Sequence, residues 1–161
     1  MVALNSMGEE VGGCSPNSPQ IRWLEEDLAK NDKKCTLAYF HHPRFSSGRY
    51  RPGGPKVKPI WEALYEANAD VVLSGHDHNY QRFAPQDPYG KADPERGIRE
   101  FVVGTGGKNH YKIFDPLPNS EIHNDESYGV LKLTLRPKSY EWRFLPAAGG
   151  EFTDSGDDQC H

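Results

Sequence analysis

The sequence predicts an α/β architecture that ends in a β-hairpin, and three patterns point to it. Two short apolar runs, Leu37-Ala38-Tyr39-Phe40 and Val71-Val72-Leu73-Ser74, have the length and the β-branched or aromatic content of buried strands. Each run is preceded by a segment whose apolar residues recur at helical spacing. Near the C-terminus, apolar and polar residues alternate with period two on both sides of Arg136-Pro137-Lys138-Ser139. At 161 residues the chain fits one domain, large enough to bury a core.

Each element follows from local chemistry. Met1–Ser6 reads as a short strand, and with a chain that opens within a strand, preceding elements are an expectation to be tested. A Gly/Ser/Pro/Asn loop runs to Asn17, after which Ser18 offers an N-cap and Pro19 the first helical position. Ile21, Leu24 and Leu28 then make Pro19–Asn31 an amphipathic helix, with Trp23 assigned to its core side. Strand Thr36–Phe40 leads into a long loop, His42–Pro55. Lys58–Asn68 is the second helix, with Ile60, Trp61, Leu64 and Tyr65 on one face. Strand Asp70–Ser74 follows, then an irregular stretch, Gln81–Gly97, punctuated by Pro85, Pro88 and Pro94. Strand Glu100–Val103 closes at Gly104-Thr105-Gly106-Gly107. Val130–Leu135 and Tyr140–Leu145 form the hairpin, with Trp142 in its packing face, and Asp154, Asp157 and Asp158 read as a solvated acidic tail.

Composition narrows the function. A net charge of −4 argues against nucleic acid or an anionic membrane as partner, since both recruit basic patches. No apolar run is long enough to span a bilayer, and no secretory signal is visible. A mean hydropathy of −0.80 with 13 prolines and 16 glycines implies long functional loops or an incomplete core. Three cysteines, Cys14, Cys35 and Cys160, fit an extracytoplasmic protein short of one partner or a cytosolic one with incidental thiols. A Cys14–Cys35 bridge and free thiols both stay open.

The chemistry concentrates at two strand ends. Gly75-His76-Asp77-His78 follows one apolar run, and His41-His42-Pro43 follows another. Strand ends that carry imidazoles to one sheet edge can build a metal site, with Gly75 expected to let the backbone turn sharply. Neutral imidazole suits Zn, Mn or Fe. Three histidines can hold one zinc, but two neighbouring cations need anionic bridging ligands to offset their repulsion.

His41-x-Pro43 and Asp70-Val-Val-Leu-Ser-Gly75-His76-x-His78-Asn79-Tyr80-x-Arg82-Phe83 together resemble the C-terminal half of the calcineurin-like metallophosphoesterases, nearest their purple-acid-phosphatase-like bacterial branch. Leu4-Asn5-Ser6, Pro19-Gln20-x-x-Trp23-Leu24 and Val103-Gly104-Thr105-Gly106-Gly107 extend the resemblance along nearly the whole chain. It implies the C-terminal portion of a four-layer α/β/β/α sandwich and hydrolysis of phosphate esters at a pair of Fe, Zn or Mn ions. Carried over, His41 and His76 would ligate the second metal and His78 the first. His42 is the candidate acid for the leaving alkoxide, beside the plainer reading of a packed or solvated loop imidazole. The implied partners are a phosphate-ester substrate and the missing N-terminal half of the same domain, and the implied location is secreted or extracytoplasmic.

Departures from the family pattern matter. Asp-x-His, Gly-Asp-x-x and Gly-Asn-His-Asp/Glu, which bring the bridging aspartate and most first-metal ligands, do not occur in this sequence. Lys108-Asn109-His110-Tyr111 echoes the third without its glycine and acid. Gln81 stands where the family has a glutamate that holds a loop, and Met7-Gly8 replaces an Asn-Cys, which would leave Cys14 or Cys160 unpaired if the family's bridge includes that position. The chain is therefore expected to be a C-terminal piece, with unpaired sheet edges and exposed apolar faces. The alternative to a phosphoesterase is a catalytically incomplete metal-binding fragment or pseudo-enzyme interaction domain. Among other residues, Arg44 and Arg82 could clamp phosphate, Arg49 and Arg51 read better as a solvated loop, and Gly104–Gly107 reads first as a tight turn. His110 and His123 are expected at the surface.

Overall fold

Strands β1 (Val2–Ala3), β2 (Leu37–Tyr39), β3 (Val71–Ser74) and β5 (Arg99–Val103) lie side by side and parallel, and β4 (Tyr80–Phe83) and β6 (Ser120–Asn124) complete a six-stranded sheet in the order β1-β2-β3-β5-β4-β6. A second sheet holds β7 (Gly129–Leu135), β8 (Ser139–Pro146) and β9 (Ser155–Gln159), all antiparallel. The computed structural model describes residues 1–48 and 54–161. Arg49 and Arg51 lie outside the described residues.

Helices α1 (Pro19–Ala29) and α2 (Lys58–Glu66) cover one face of the large sheet. Ser18 caps α1, its hydroxyl accepting from the Ile21 amide, with Pro19 at the first helical position as expected. Ile21, Leu24, Leu28, Ile60, Trp61 and Leu64 pack with Val2, Ala38, Phe40, Val72 and Ile98 of the sheet. The opposite face buries Leu37, Val71, Tyr80 and Phe101 against Tyr140, Trp142 and Phe144 of the small sheet. Side-chain alternation makes this possible: successive strand residues point to opposite faces, so Val71 and Val72 serve different cores. Three of the four layers implied by the resemblance are present. Leu131 and Leu133, on the inner face of edge strand β7, remain only partly covered.

Several expectations need correction. Residues 81–83, the start of the expected irregular stretch, belong instead to β4, because Gln81 and Arg82 find partners inside the fold. Strands β6 and β9 carry almost no apolar residues, so no local pattern in the sequence marks them. The acidic tail is solvated only in part: Asp157 is exposed, but the other two aspartates are held by the fold. Asp154 is buried and accepts from Tyr80 Oη (2.7 Å), Arg82 Nε (2.8 Å) and Trp142 Nε1 (3.2 Å), while Asp158 pairs with Arg99 at 3.2 Å. Trp23 is half exposed and outside the core. The disulfide joins Cys35 to Cys160, across a sequence separation of 125, and Cys14 is a buried free thiol.

Candidate metal centre

Because β2 and β3 are adjacent and parallel, their C-terminal ends open on the same edge. The ladder continues past the strands, with the Phe40 amide on the Leu73 carbonyl and the Gly75 amide on the His41 carbonyl, so His41 stands opposite Gly75 and next to His76. His41 Nε2 and His76 Nδ1 come within 3.0 Å. At that separation the two ring nitrogens share a proton, and the same pair of atoms could turn toward one cation. The sharp turn is made differently from expectation. Gly75 keeps an ordinary negative φ, and His76 itself takes the left-handed conformation at φ 58°. That strained backbone aims its ring back toward β2.

His42 joins the pair. The coordinating atoms of His41, His42 and His76 all lie within 4.8 Å of one another, and no carboxylate belongs to this group among the described residues. His42 Nδ1 is 2.9 Å from Ser6 Oγ, and the same hydroxyl accepts the His42 amide at 3.0 Å, so buried Ser6 fixes both ring and backbone. Burial first, then the His76 and His78 rings, hold the His41 imidazole below its ordinary range. Burial, the His76 and His41 rings and then Lys56 push His42 down to about 4. Both rings are thus neutral near pH 7, the form a cation binds.

His78 stands outside this three-ring group and lines the same open cavity of about 570 Å³, with His41, Gly75, His76, Gly104, Lys108 and Tyr111. Its Nδ1 lies 2.9 Å from the Asn109 carbonyl, which fixes the tautomer and leaves Nε2 as the donor atom. Its ring stacks on Tyr111 at 4.0 Å. Asp77, between the two motif histidines, turns inward: it is fully buried and accepts a hydrogen bond from Ser46 Oγ.

Polar residues behind the histidines hold their loops. Gln81, where the resembled family has glutamate, accepts the Ser47 amide at 2.7 Å and donates to Ser46 Oγ and Asn79 Oδ1, so an amide holds the loop in place of the acid. Glu100, on β5, accepts the Arg44 and Phe45 amides at 2.9 Å each and anchors the chain just after His41-His42-Pro43. Ser6 and Asn109 stand in motifs and Glu100 opens a strand, but their role in holding the histidines is not legible in the sequence. A charge inside an apolar strand run was the one available signal, at Glu100. Other candidates are structural: Arg82 pairs with Asp154 and Glu121, Arg44 Nη2 donates to the Pro88 carbonyl at 2.8 Å, and His123 lies on β6. His110 faces the Ser127 carbonyl and Tyr128.

Residues 6–80 match the family model of the calcineurin-like phosphoesterases. The chain is 31% identical over 142 residues to probable purple acid phosphatase 20 of Arabidopsis thaliana, covering 79% of this chain and 32% of that protein. Against purple acid phosphatase 22 of the same plant the figures are 38% over 127 residues, 73% and 29%. Acid phosphatase A of Cryphonectria parasitica is 27% identical, over 92% of this chain and 32% of its own length. The chain thus spans a third or less of the length of the curated relatives it matches. Among solved structures, a purple acid phosphatase from yellow lupin seeds superposes with a TM-score of 0.74 at 21% identity, covering 88% of this chain and 28% of that one, a likeness of fold. GAP50, titled as the anchor in the inner membrane complex of Plasmodium, shares the fold at a TM-score of 0.73 and 17% identity, over 94% of this chain and 47% of that one.

Proposed function

We propose that these residues form the histidine side of a metal-dependent phosphoesterase centre of acid-phosphatase type, with His41 and His76 holding one cation and His78 contributing to a second position. The observation that carries the reading is the 3.0 Å approach of His41 Nε2 to His76 Nδ1 from two separate strand ends. The three-imidazole group suits one borderline ion such as Zn, Mn or Fe. A pair of ions needs bridging carboxylates, and Asp77 is fully buried, bound to Ser46 through one oxygen, and outside the imidazole group. We therefore assign the bridging ligands to chain beyond the residues of this sequence, in keeping with its span of a third or less of the relatives' length.

A cation held by these imidazoles would polarise phosphoryl oxygens and lower the pKa of bound water. The chain's own part is placement. Ser6 locks His42, Asn109 locks His78, and Glu100 holds the loop after β2, so the imidazoles wait in register before substrate arrives. His42 is near enough to donate a proton to a leaving group, but a ring that stays neutral down to about pH 4 is better suited to ligation. Export of the protein agrees with the Cys35–Cys160 bridge, which persists in oxidising compartments.

Zinc titration by calorimetry, with elemental analysis, tests the reading. The chain should bind about one ion, His41→Ala and His76→Ala should each abolish binding, and turnover of a chromogenic phosphomonoester should be slight. Zinc binding indifferent to both substitutions would refute the centre. Two tightly held ions, or robust hydrolysis lost in His76→Ala, would refute the need for further carboxylates and restrict the non-enzymatic alternative.

A further inference from the structure

After β5 the chain turns at Gly104 and lies flat on the Gly75–His78 turn. A Cβ at Gly104 would stand 1.9 Å from the Asp77 carbonyl oxygen, so only glycine permits the approach. The Gly104 amide donates to the Asn79 carbonyl at 3.0 Å, and the Tyr111 amide to the His78 carbonyl at 3.0 Å. Asn79 Nδ2 donates to the Tyr111 carbonyl at 3.1 Å, and the Asn109 carbonyl meets His78 Nδ1. Lys108 sits between these anchor points, on the cavity wall shared with His41, His76 and His78. Among the described residues lining that cavity it supplies the one side-chain ammonium or guanidinium. Nearby Lys112 is paired with Asp125 and Glu126, whereas Lys108 has no ion pair among the described residues. A Cβ added at Gly106 or Gly107 would meet nothing within 4 Å, so the approach to Lys108 is open.

An exposed lysine on the wall it shares with three imidazoles, with no carboxylate paired to it among the described residues, suits an anion bound at that cluster. Lysine is a compact point charge and a common phosphate binder. Its attraction scales with the charge it faces, so a phosphomonoester dianion gains more than a diester monoanion. We propose that Lys108 anchors the substrate phosphate and selects for dianionic phosphomonoesters. The proposal rests on the phosphoesterase reading above.

The test is calorimetric binding of inorganic phosphate and of dimethyl phosphate to the zinc-loaded chain, with zinc affinity measured separately for every variant. Lys108→Ala should weaken phosphate binding about ten- to hundredfold, the range of a charge-assisted hydrogen bond, and dimethyl phosphate less. Lys108→Arg should recover most of the loss, and zinc affinity should match the parent in both variants. Unchanged phosphate affinity in Lys108→Ala, equal losses for the two anions, or no phosphate binding by the parent would overturn the proposal while leaving the metal centre standing. Zinc binding that survives His76→Ala would overturn the phosphoesterase reading, and Lys108's role with it.

Discussion

Replacing Glu100 with glutamine tests how the histidine loop is held. Glu100 is fully buried and accepts the Arg44 and Phe45 amides at 2.9 Å and Ser74 Oγ at 3.2 Å. Burial pushes its carboxyl from 4.5 up to about 8, against the opposing pull of those hydrogen bonds and of the Arg44 guanidinium. A folded-state pKa above the unfolded one means that the native state holds the extra proton. The carboxyl's contribution is therefore complete below pH 4.5 and is lost as pH climbs through 8. With about 1.4 kcal/mol for each pKa unit, the loss across that window reaches on the order of 5 kcal/mol. Glutamine does not titrate and keeps one carbonyl oxygen, which leaves one buried amide without an acceptor, at a pH-independent cost of about 1–3 kcal/mol. Urea unfolding followed by tryptophan fluorescence from pH 5 to 9 should show Glu100→Gln less stable at pH 5, with the gap closing or reversing by pH 8. Parallel pH profiles for the two proteins would refute the reasoning, because the histidines contribute equally to both and cancel.

Three further outcomes follow from the packing. Cys35→Ser opens a loop of 125 residues, for which chain entropy gives up to about 5 kcal/mol, so the melting temperature should fall sharply and become insensitive to reductant; equal melting with and without the bridge would contradict this. Gly104→Ala forces a methyl against the Asp77 carbonyl and should cost about 1–3 kcal/mol while weakening zinc binding, read by calorimetry beside a thermal melt. Burial raises the Asp154 carboxyl, but the Arg82, Tyr80 and Trp142 contacts outweigh it and hold the group below its ordinary range. Its stabilisation is present above the ordinary carboxylate pKa and is lost as pH falls through the depressed value. Asp154→Asn should then cost about 3–5 kcal/mol at pH 7 and flatten the acid limb of the stability curve; an unaltered acid limb would sink the assignment.

The elements readable in advance were those whose signal is local. The apolar runs at 37–40 and 71–74 had to be buried strands, the Ser18-Pro19 pair had to start a helix, and histidines directly after two such runs had to emerge at strand ends. The approach of His41 to His76 follows from parallel pairing of β2 with β3, which the alternation of helices and strands already implied.

What only the tertiary structure decided are the features whose partners lie far along the chain. Strand β9 has the composition of a loop and forms because β8 offers a free edge, Asp154 meets Arg82 from 72 residues away, and Cys160 reaches Cys35. Gly104, Ser6, Glu100 and Lys108 gain their meaning the same way, each from a neighbour brought near by the sheet. Periodicity and propensity record how a residue behaves toward its nearest few neighbours. The energy of a buried charge, a close backbone approach or a third imidazole depends on groups that become adjacent only after folding.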